Sequence, residues 1–507
     1  MTDPVAPVLT QPVLAQAAAL PKDAQVVAVL LGAGGLAPAG VTLDKAAGGA
    51  IGRALAARPG QMAAGDCLDL WALPGLAHRR VVVLSLGDGA QHPGGALGAR
   101  MAGGALGARK AGGALAAHLE GEAEVTLLAD APAGTGLSAA TLAEALALGF
   151  ALRGYRLTLK GKGTHPAATR LSVVTGEAGA LPRAEAMAGG VALARQLVDL
   201  PSNILNPDTF ADYLAPLAKA GVSVEVLETA DLEQMGAGAI LAVGGGARRP
   251  PRMIVLRLNP DAKGAPLAFV GKGVCFDSGG LCMKSGEAQW DMKGDMAGAA
   301  AVAGLMLTLA RQGWAGPVVG VLGVAENLPG PAAYKSGDVI RTLSGKTVEV
   351  FDTDCEGRMI LADCLCYTAT RFRPAAMVDL ATLTYSVMRG LGSHFAGLFA
   401  SDRALSDGLA AAGERTGERL WPLPLDAAYD AGLTSALADL RQHGKDFEDG
   451  DAPHAAAFLR HFTENVPWAH LDIAGKEFWA EDGTLGRKGA RGFGVQLLAD
   501  WVATRGR

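Results

Sequence analysis

Short runs rich in β-branched residues alternate with alanine-rich stretches along most of this chain. In the first third, stretches such as LGARMAGGALGARKAGGALAAHL separate the apolar runs AQVVAVLLG, RRVVVLSLG, EVTLLAD and RLSVVTG. Strands that alternate with helical segments are typical of layered α/β folds. The alternation therefore predicts an α/β fold for this part, in which no segment has a catalytic pattern.

A second series of the same kind begins after the turn-forming cluster LPSNILNP. Its apolar runs and helical stretches are PRMIVLRLN, PLAFVGKGVCF, AGAAAVAGLMLTLARQG, GPVVGVLGVA, KTVEVFDTD and GRMILADCLCYTATRF. Because 507 residues exceed the size of a single growing core, more than one domain is expected. We predict a small N-terminal α/β domain over residues 1–180, a linker helix over 184–200, and a larger α/β domain over 201–507 with a mostly parallel or mixed sheet flanked by helices.

The net charge and the distribution of charged residues argue against some classes of binding partner. The formal net charge is -5, and the 45 Lys and Arg residues are scattered, which argues against capture of nucleic acid. No cationic start precedes an apolar run at the N-terminus, and no apolar stretch has transmembrane length, so we expect a cytoplasmic protein that does not enter membranes. Six widely spread Cys residues in such a chain predict reduced thiols.

Two polar clusters interrupt strand-to-helix junctions in the second series. The first, VGKGVCFDSGGLCMKSGEAQWDMKGDMAG, directly follows an apolar strand, and the second, FDTDCEGRMILAD, follows the run KTVEV. In open α/β sheets, ligands bind beyond the carboxyl ends of strands. The charged residues of the two clusters are Lys272, Asp277, Lys284, Asp291, Lys293 and Asp295, then Asp352, Asp354, Glu356 and Arg358.

Acidic residues at alternate positions predict one charged face of an extended segment, here Asp352, Asp354 and Glu356. Such a face costs free energy unless water solvates it or cations neutralise it, and hard divalent ions prefer carboxylate oxygens. If Asp277 and Asp295 converge with Asp354 and Glu356, their four negative charges would balance two divalent cations.

Taken singly, each cluster has a simpler interpretation as a turn. The segment from Asp277 to Gly280 would then be only a loop, and Asp354 would cap a helix that starts near Gly357. Lys272 stands in a Gly-Lys-Gly sequence, but the spacing of a phosphate-binding loop is absent, which disfavours a nucleotide site.

The two clusters together resemble the signature segments of the leucyl aminopeptidase family, also called the cytosol aminopeptidase family. The second family segment is Asn-Thr-Asp-Ala-Glu-Gly-Arg, and the steps from Lys272 through Asp277 and Lys284 to Asp295 are 5, 7 and 11, with Asp354 a further 59 residues on. The similarity continues through ENLPGPAAYKSGDVIRTLSGKTVEV, VDLATLT, HAAAFLRHF, WAHLDIAG and KGARGFGVQLL. It therefore covers essentially all of residues 185–507, and before residue 180 it rests on the α/β pattern alone.

The resemblance implies two divalent metal ions per subunit, Mn or Zn, with Mg as a further candidate. One ion would be held tightly and the other would exchange more easily, with Asp277 and Glu356 bridging both. Lys272 would bind as a neutral amine. The implied ligands of the tight ion are Lys272, Asp277, Asp295 and Glu356, and those of the exchangeable ion are Asp277, Asp354 and Glu356.

The resemblance also implies catalytic and substrate-binding roles. Lys284 would donate to the tetrahedral oxyanion, and Arg358 would hold a bicarbonate ion that acts as general base. The side chain of the first substrate residue would enter an apolar pocket suited to Leu or Met. The residues implied to line that pocket are Met292, Thr382, Leu383 and Thr384.

The implied activity is the metal-dependent hydrolysis of the N-terminal residue from peptides by a metal-bridging water. The resemblance also implies a homohexamer. In each subunit, residues 201–507 would form the catalytic domain and residues 1–180 would serve assembly. Two alternatives remain open: a hexameric regulatory or DNA-binding relative without significant turnover, and a two-metal phosphoesterase. Asp352 replaces the family's Asn, and Tyr385 stands near the expected cleft where the family has a small residue.

Overall fold

The computed structural model describes residues 6–87, 104–160, 168–444 and 450–505. Contacts divide the chain into two compact units. The first unit comprises the described parts of Met1–Ala188 together with Trp479–Gly489, and the second comprises those of Gly189–Phe478 and Ala490–Arg507. The helix Ala180–Asp199, predicted from residue 184, contributes residues to both units.

The first unit contains a seven-stranded sheet with a two-stranded sheet beside it. Its strands pair in the order β2-β9-β7-β3-β6-β5, with β4 on β3, and all pairs are parallel except those of β5 and β4. The four predicted strands are confirmed as β3, β6, β7 and β9. The strands are β1 Val8–Thr10, β2 Val13–Ala17, β3 Val26–Gly32, β4 Gly35–Leu36, β5 Cys67–Trp71, β6 Arg80–Ser85, β7 Glu124–Leu128, β8 Arg156–Thr158 and β9 Arg170–Val174.

Glycine in the alanine-rich stretches allows two helices of the first unit to pack closely. A Cβ atom at Gly149 would lie only 1.8 Å from the carbonyl oxygen of Arg109, and one at Gly112 would lie 2.1 Å from that of Leu146. The predicted helical stretch 97–119 forms a helix from residue 105, and its residues 97–103 lie outside the described part. The helices are α1 Pro38–Ala46, α2 Ala50–Ala57, α3 Ala105–His118 and α4 Ala139–Gly154.

The second unit is built on an eight-stranded mixed sheet. Its order is β10-β11-β13-β12-β16-β20-β17-β18, and the four central strands from β13 to β20 are mutually parallel. This confirms the prediction of a mixed sheet. The strands are β10 Ser223–Leu227, β11 Arg252–Leu258, β12 Leu267–Asp277, β13 Val318–Asn327, β16 Ala376–Ala381, β17 Ala396–Ala400, β18 Leu420–Pro422 and β20 Trp468–Asp472.

Smaller strands and helices surround this sheet. The run KTVEV forms only the short strand β15, which pairs with β14 and β19 outside the large sheet. These strands are β14 Val339–Arg341, β15 Thr347–Glu349 and β19 Leu440–Arg441, and a further pair is β21 Phe478–Trp479 with β22 Gly489–Ala490. The remaining helices are α5 Ala180–Asp199, α6 Ala215–Lys219, α7 Thr229–Met235, α8 Gly238–Gly244, α9 Gly286–Gln289, α10 Ala297–Arg311, α11 Glu356–Phe372, α12 Tyr385–Leu391, α13 Arg403–Thr416, α14 Asp451–Arg460 and α15 Val495–Arg505.

Helix α10 packs at the sheet with thirteen of its residues buried, from Ala297 to Leu309. Small residues allow the contact, since a Cβ atom at Gly271 of β12 would lie 2.5 Å from the Cα atom of Ala299. All six Cys residues are free in the structure. Within the described ranges, no helix is long and apolar enough to cross a membrane.

Candidate metal centre and catalytic pocket

Strand β12 carries the first part of the site at the centre of the large sheet. Lys272 lies within the strand and Asp277 ends it, and both are buried, with 3% and 2% of their surfaces exposed. The pairing with β13 shifts register between Val274 and Phe276, an irregularity that changes the direction of side chains near the strand end. Both side chains are therefore available near the carboxyl end of β12, on the side of the sheet at which α/β proteins bind ligands.

A glycine turn follows Asp277. Gly279 has a φ angle of +85°, which favours glycine, and its N–H donates to Asp277 Oδ1 at 2.8 Å. A Cβ atom at Gly279 would lie 3.0 Å from Asp354 Oδ1. The segment is a turn, as the simpler interpretation held, and this turn also brings the first cluster against the second.

The second cluster does not form the extended face that its alternation predicted, and that interpretation is wrong. Asp352 begins a turn in which its Oδ1 accepts the N–H of Asp354 at 2.8 Å, and Glu356 is already the first residue of α11. Asp354 does not cap the helix either, since the N-cap position is Cys355 and no side chain caps it. A turn followed by a helix start brings the carboxylates together.

Three carboxylates converge where the two clusters meet. Oxygen atoms of Asp277, Asp354 and Glu356 all lie within 4.8 Å of one another. Lys272 connects a fourth, because its Nζ donates to Asp295 Oδ1 at 2.8 Å and lies 2.8 Å from Glu356 Oε1. The structure therefore brings together all five residues predicted as metal ligands.

The cluster carries more negative than positive charge. Lys284 Nζ lies 3.0 Å from Asp277 Oδ2 and also contacts Asp354, so two ammonium groups face four carboxylates. Burial, with the charges of Asp277 and Glu356, raises the pKa of Asp354 to about 7. Burial also raises the pKa of Asp295 and Glu356. The protein alone thus stabilises these four carboxylates only in part.

Both lysines are ammonium ions in this arrangement. Burial lowers the pKa of Lys272, but the carboxylates of Asp295 and Glu356 outweigh burial and leave it raised. The pKa of Lys284 is raised by the same balance of burial against neighbouring carboxylates. Lys272 can coordinate a metal ion only as the neutral amine. The positive charge of a metal ion beside it would lower the pKa of Lys272, against the effect of the carboxylates, and would favour loss of its proton.

The residues present fit divalent cations. Four carboxylates supply hard oxygen donors, and the like charges of three of them are crowded within a few ångströms. Asp295 Oδ2 is buried and accepts no hydrogen bond from any residue that the structure describes. A buried carboxylate oxygen without a donor costs free energy, and a metal ion would remove that cost.

Two residues that sequence inspection did not single out support the two clusters. Asn327, the last residue of β13, donates from Nδ2 to Asp277 Oδ1 at 2.8 Å and to the Thr353 carbonyl at 2.9 Å. Tyr334 donates to the same carbonyl at 2.9 Å. The one signal in the sequence was that the apolar run GVLGVA ends in a polar Glu-Asn pair, again at a strand end.

Arg358 lies on α11 and is 1% exposed. It donates to the Gln442 carbonyl at 3.2 Å and to Asp451 Oδ1, also at 3.2 Å. His443 Nε2 lies 3.2 Å from the same Asp451 oxygen. Burial by itself would raise the pKa of Asp451. The hydrogen bond from His443 and the charge of Arg358 outweigh burial and lower this pKa to about 2. The predicted anion-holding arginine thus already binds a carboxylate of the chain.

A cavity of about 150 Å³ connects these groups. It is lined by the five predicted metal ligands, by Lys284 and Arg358, and by the predicted substrate residues Met292, Thr382, Leu383 and Thr384. A larger cavity of about 920 Å³ in the first unit contains none of the predicted site residues.

Two of the predicted pocket residues are occupied by structural hydrogen bonds. The Thr384 hydroxyl donates to Asp472 Oδ2 at 2.7 Å and caps α12, and Thr382 Oγ1 donates to Asp295 Oδ1 at 2.7 Å. Met292 and Leu383 present apolar surface to the cavity. Tyr385 is another wall, with its ring centroid 5.4 Å from Lys284 Nζ. The pocket is therefore partly apolar, and Tyr385 adds an aromatic ring to its wall.

The fold and the site define a class of protein, a metallohydrolase whose carboxylate centre lies at the carboxyl edge of an α/β sheet. The catalytic-domain model of the cytosol aminopeptidase family matches residues 192–499, and the N-terminal-domain model of that family matches residues 26–159. The chain belongs to the cytosol aminopeptidase family. It is a metal-dependent aminopeptidase that hydrolyses N-terminal residues from peptides.

Individual relatives agree with this assignment. A probable cytosol aminopeptidase from Bradyrhizobium sp. is 40% identical over 478 residues, which cover 90% of this chain and 92% of the relative. The Mn complex of the bottromycin maturation enzyme BotP has a TM-score of 0.80 and 34% identity, covering 96% of this chain and 100% of BotP. A mutant tomato leucine aminopeptidase has a TM-score of 0.81 and 27% identity, covering 98% and 97%.

Proposed function

We propose that this aminopeptidase works with two divalent metal ions held by five side chains of the second unit. The observation that carries the proposal is the convergence of Asp277, Asp354 and Glu356 within 4.8 Å, with Asp295 joined to them through Lys272. Bound divalent ions supply Lewis-acid polarisation of the scissile carbonyl and a lowered pKa for the attacking water. Lys272, Asp277, Asp295 and Glu356 would hold the tighter ion, and Asp277, Asp354 and Glu356 the more exchangeable one.

Manganese is the first candidate for both positions, with zinc and magnesium as alternatives. The bound Mn of BotP supports this order, because that protein shares the fold and 34% of its sequence with this chain. The donor set of carboxylates plus one lysine amine also accepts either Mn or Zn.

Lys284 would stabilise the negative charge that develops on the substrate carbonyl oxygen. Its side chain is 8% exposed, and its ammonium group lies in the cavity against Asp277 and Asp354. In a pocket that excludes much of the water, a fixed cation stabilises the transition state most strongly when it lies where negative charge develops during the reaction. Substrate binding would turn the Lys284 ammonium from these carboxylates towards the carbonyl oxygen.

Arg358 would orient the anion that accepts the proton of the attacking water. The family resemblance assigns that role to bicarbonate, and we keep bicarbonate as the proposed general base. In the structure, the Arg358 guanidinium is shared with the Asp451 carboxylate. Bicarbonate would therefore bind this arginine in competition with Asp451.

The substrate would be a peptide with a free N-terminus, whose first side chain contacts Met292, Thr382, Leu383 and Thr384. Met292 and Leu383 favour apolar residues such as Leu and Met through contact with their side chains. Tyr385 lies in the same cavity and limits its width.

Four broader properties complete the proposal. We infer that the chain assembles as a homohexamer, that the domain over residues 1–180 serves assembly rather than catalysis, and that the linker helix 184–200 connects it to the catalytic domain 201–507. We also infer a cytoplasmic location, which the relatives named cytosol aminopeptidase support. The comparisons do not support the regulatory alternative without turnover.

The test is release of the N-terminal residue from Leu-, Met- and Cys-Gly-type substrates by the purified protein. Activity should disappear after chelation, return with Mn, Zn or Mg, and be lost when the substrate is N-acetylated. Light scattering of the same preparation should give six subunits. If no metal restores release to a protein that still assembles, the two-metal proposal is wrong.

A further inference from the structure

The catalytic cavity also contains carboxylates that belong neither to the predicted metal ligands nor to the Arg358 cluster, and Glu477 is one of them. Glu477 lines the cavity five residues after the end of β20. Its Oε2 atom is buried and accepts no hydrogen bond from the residues that the structure describes. A buried carboxylate oxygen in this state is a site that requires a donor, and in a substrate pocket the substrate is the natural source.

The position of Glu477 places it beside the predicted pocket for the first side chain. A Cβ atom at Gly294 would lie 3.3 Å from Glu477 Cγ, and Gly294 ends the turn that begins with Met292. A Cβ atom at Gly475 would lie 2.8 Å from the Cγ atom of Met388, another residue of the cavity wall. Glu477 therefore lines the cavity together with two methionines, Met292 and Met388.

The lysines next to Glu477 in sequence and in space are directed elsewhere. Lys476 is buried and donates from Nζ to the Gly392 carbonyl. Lys293 donates from Nζ to the Asp199 carbonyl at 2.9 Å. Because both ammonium groups have backbone partners, neither forms an ion pair with the free carboxylate oxygen.

Burial raises the pKa of Glu477, although backbone N–H groups of residues 475–477 and the charge of Lys476 oppose the rise. A cationic group that entered the cavity would supply the donor that Oε2 lacks. The methionine walls suit the methylene chain of a lysine or arginine side chain, which packs against apolar surface while its charged end seeks a partner. The carboxylate and the apolar walls together match a long cationic side chain.

We propose that Glu477 determines specificity and that the enzyme prefers peptides with Lys or Arg at the N-terminus over those with an apolar residue of equal length. The inference rests on the proposed function, because it assumes that this cavity receives the first side chain. It adds a charged end to a pocket that the sequence predicted to be only apolar.

The test compares two substrates that differ only at the tip of the first side chain. Lysyl and norleucyl amides of the same fluorogenic amine are hydrolysed by the Mn-loaded protein, and kcat/KM is measured for each. Norleucine keeps the methylene chain without the ammonium group. We expect wild type to favour lysine by about tenfold to a hundredfold, the value of a charge-assisted hydrogen bond in a buried pocket.

The isosteric variant Glu477→Gln should lose most of this preference while changing the norleucyl kcat/KM less than about threefold. Glu477→Met should favour norleucine over lysine. The matched charge control is Asp291→Asn, which removes a carboxylate from the exposed rim of the same cavity and should keep the lysine preference. Retained norleucyl turnover shows that each variant is folded.

Three results would overturn the inference. Wild type with no lysine preference excludes a cationic pocket, and an equal fall of both substrates in Glu477→Gln would assign Glu477 to the shared α-amine. If Asp291→Asn lost the lysine preference as fully as Glu477→Gln, the preference would come from the overall negative charge of the cavity and not from Glu477. Failure of the proposed function is distinct, since wild type would then release neither lysine nor norleucine.

Discussion

Asn327 holds Asp277 in place through a hydrogen bond of 2.8 Å from its side-chain amide to Asp277 Oδ1. The two residues end the neighbouring parallel strands β13 and β12, where they are also paired in register. Because the same amide donates to the Thr353 carbonyl, Asn327 fixes the predicted bridging carboxylate relative to the second acidic cluster. The proposed metal centre therefore depends on a residue outside the predicted ligand set.

Replacing Asn327 with Ala should weaken metal binding and activity by about 10- to 100-fold, as loss of hydrogen bonds behind metal ligands usually does. Titration of the metal-free protein with Mn, followed by peptide hydrolysis, measures both effects. Asn259→Ala is the control, because that side chain bonds the Gly316 carbonyl at 3.3 Å outside the cavity. Equal metal affinity in the Asn327 variant and wild type would show that Asp277 needs no such support.

Removal of the Lys284 ammonium should lower kcat by about 10²- to 10³-fold, because a fixed donor acts mainly on the charge that appears in the transition state. In Lys284→Met the KM should change far less than kcat. Steady-state kinetics with a leucyl amide separate the two parameters. A rise in KM at constant kcat would instead place Lys284 in ground-state binding.

Loss of the Asp451 carboxylate should lower the concentration of bicarbonate that hydrolysis requires. In wild type, bicarbonate competes with Asp451 for Arg358, because Asp451, with a pKa of about 2, stays ionised at working pH. In Asp451→Asn the guanidinium loses its anionic partner, so the bicarbonate concentration for half-maximal hydrolysis should fall several-fold.

The control for the bicarbonate experiment is Asp430→Asn, which removes a carboxylate from a similar cluster with Arg460 and His461 outside the cavity. It should behave as wild type does. Strong stimulation of wild type, with none in the Asp451 variant, would mean that Asp451 helps to bind the added anion.

Asp363 should make the protein less stable as pH rises towards neutral. It is fully buried on α11, and burial raises its pKa from 3.8 to about 7 despite hydrogen bonds from Leu343, Ile240 and Ala239. The folded state therefore holds a proton that the unfolded state releases between about pH 4 and 7, so stability falls as pH rises through this window. The full effect is on the order of 4 kcal/mol.

The contribution of Asp363 is measured by comparing the melting temperatures of Asp363→Asn and wild type, both at saturating Mn. The effect of the metal on stability is then the same for the two proteins and cancels. Relative to wild type, the variant should gain stability as the pH increases from 5 to 8. Parallel curves would show that Asp363 ionises in the folded state as easily as in the unfolded state.

Much of the layer structure followed from local pattern. The runs around Val27 and Val81 became buried parallel strands because β-branched residues in continuous apolar runs suit sheets covered on both faces. The run at Val348 formed only a three-residue strand outside the large sheet, since its neighbours are polar and the chain must turn to reach α11. Local pattern cannot tell such a strand from a core strand.

The sequence by itself, through its resemblance to the family, determined which five residues are proposed as metal ligands, and the structure brings the side chains of Lys272, Asp277, Asp295, Asp354 and Glu356 together. Only the tertiary structure decided how they converge, through a turn and a helix start rather than an extended face. It alone placed Asn327 behind Asp277, Asp451 against Arg358 and Glu477 in the cavity. The first two pairs are 50 and 93 residues apart, and packing of the sheet and its loops, which no local pattern encodes, brings all these residues into place.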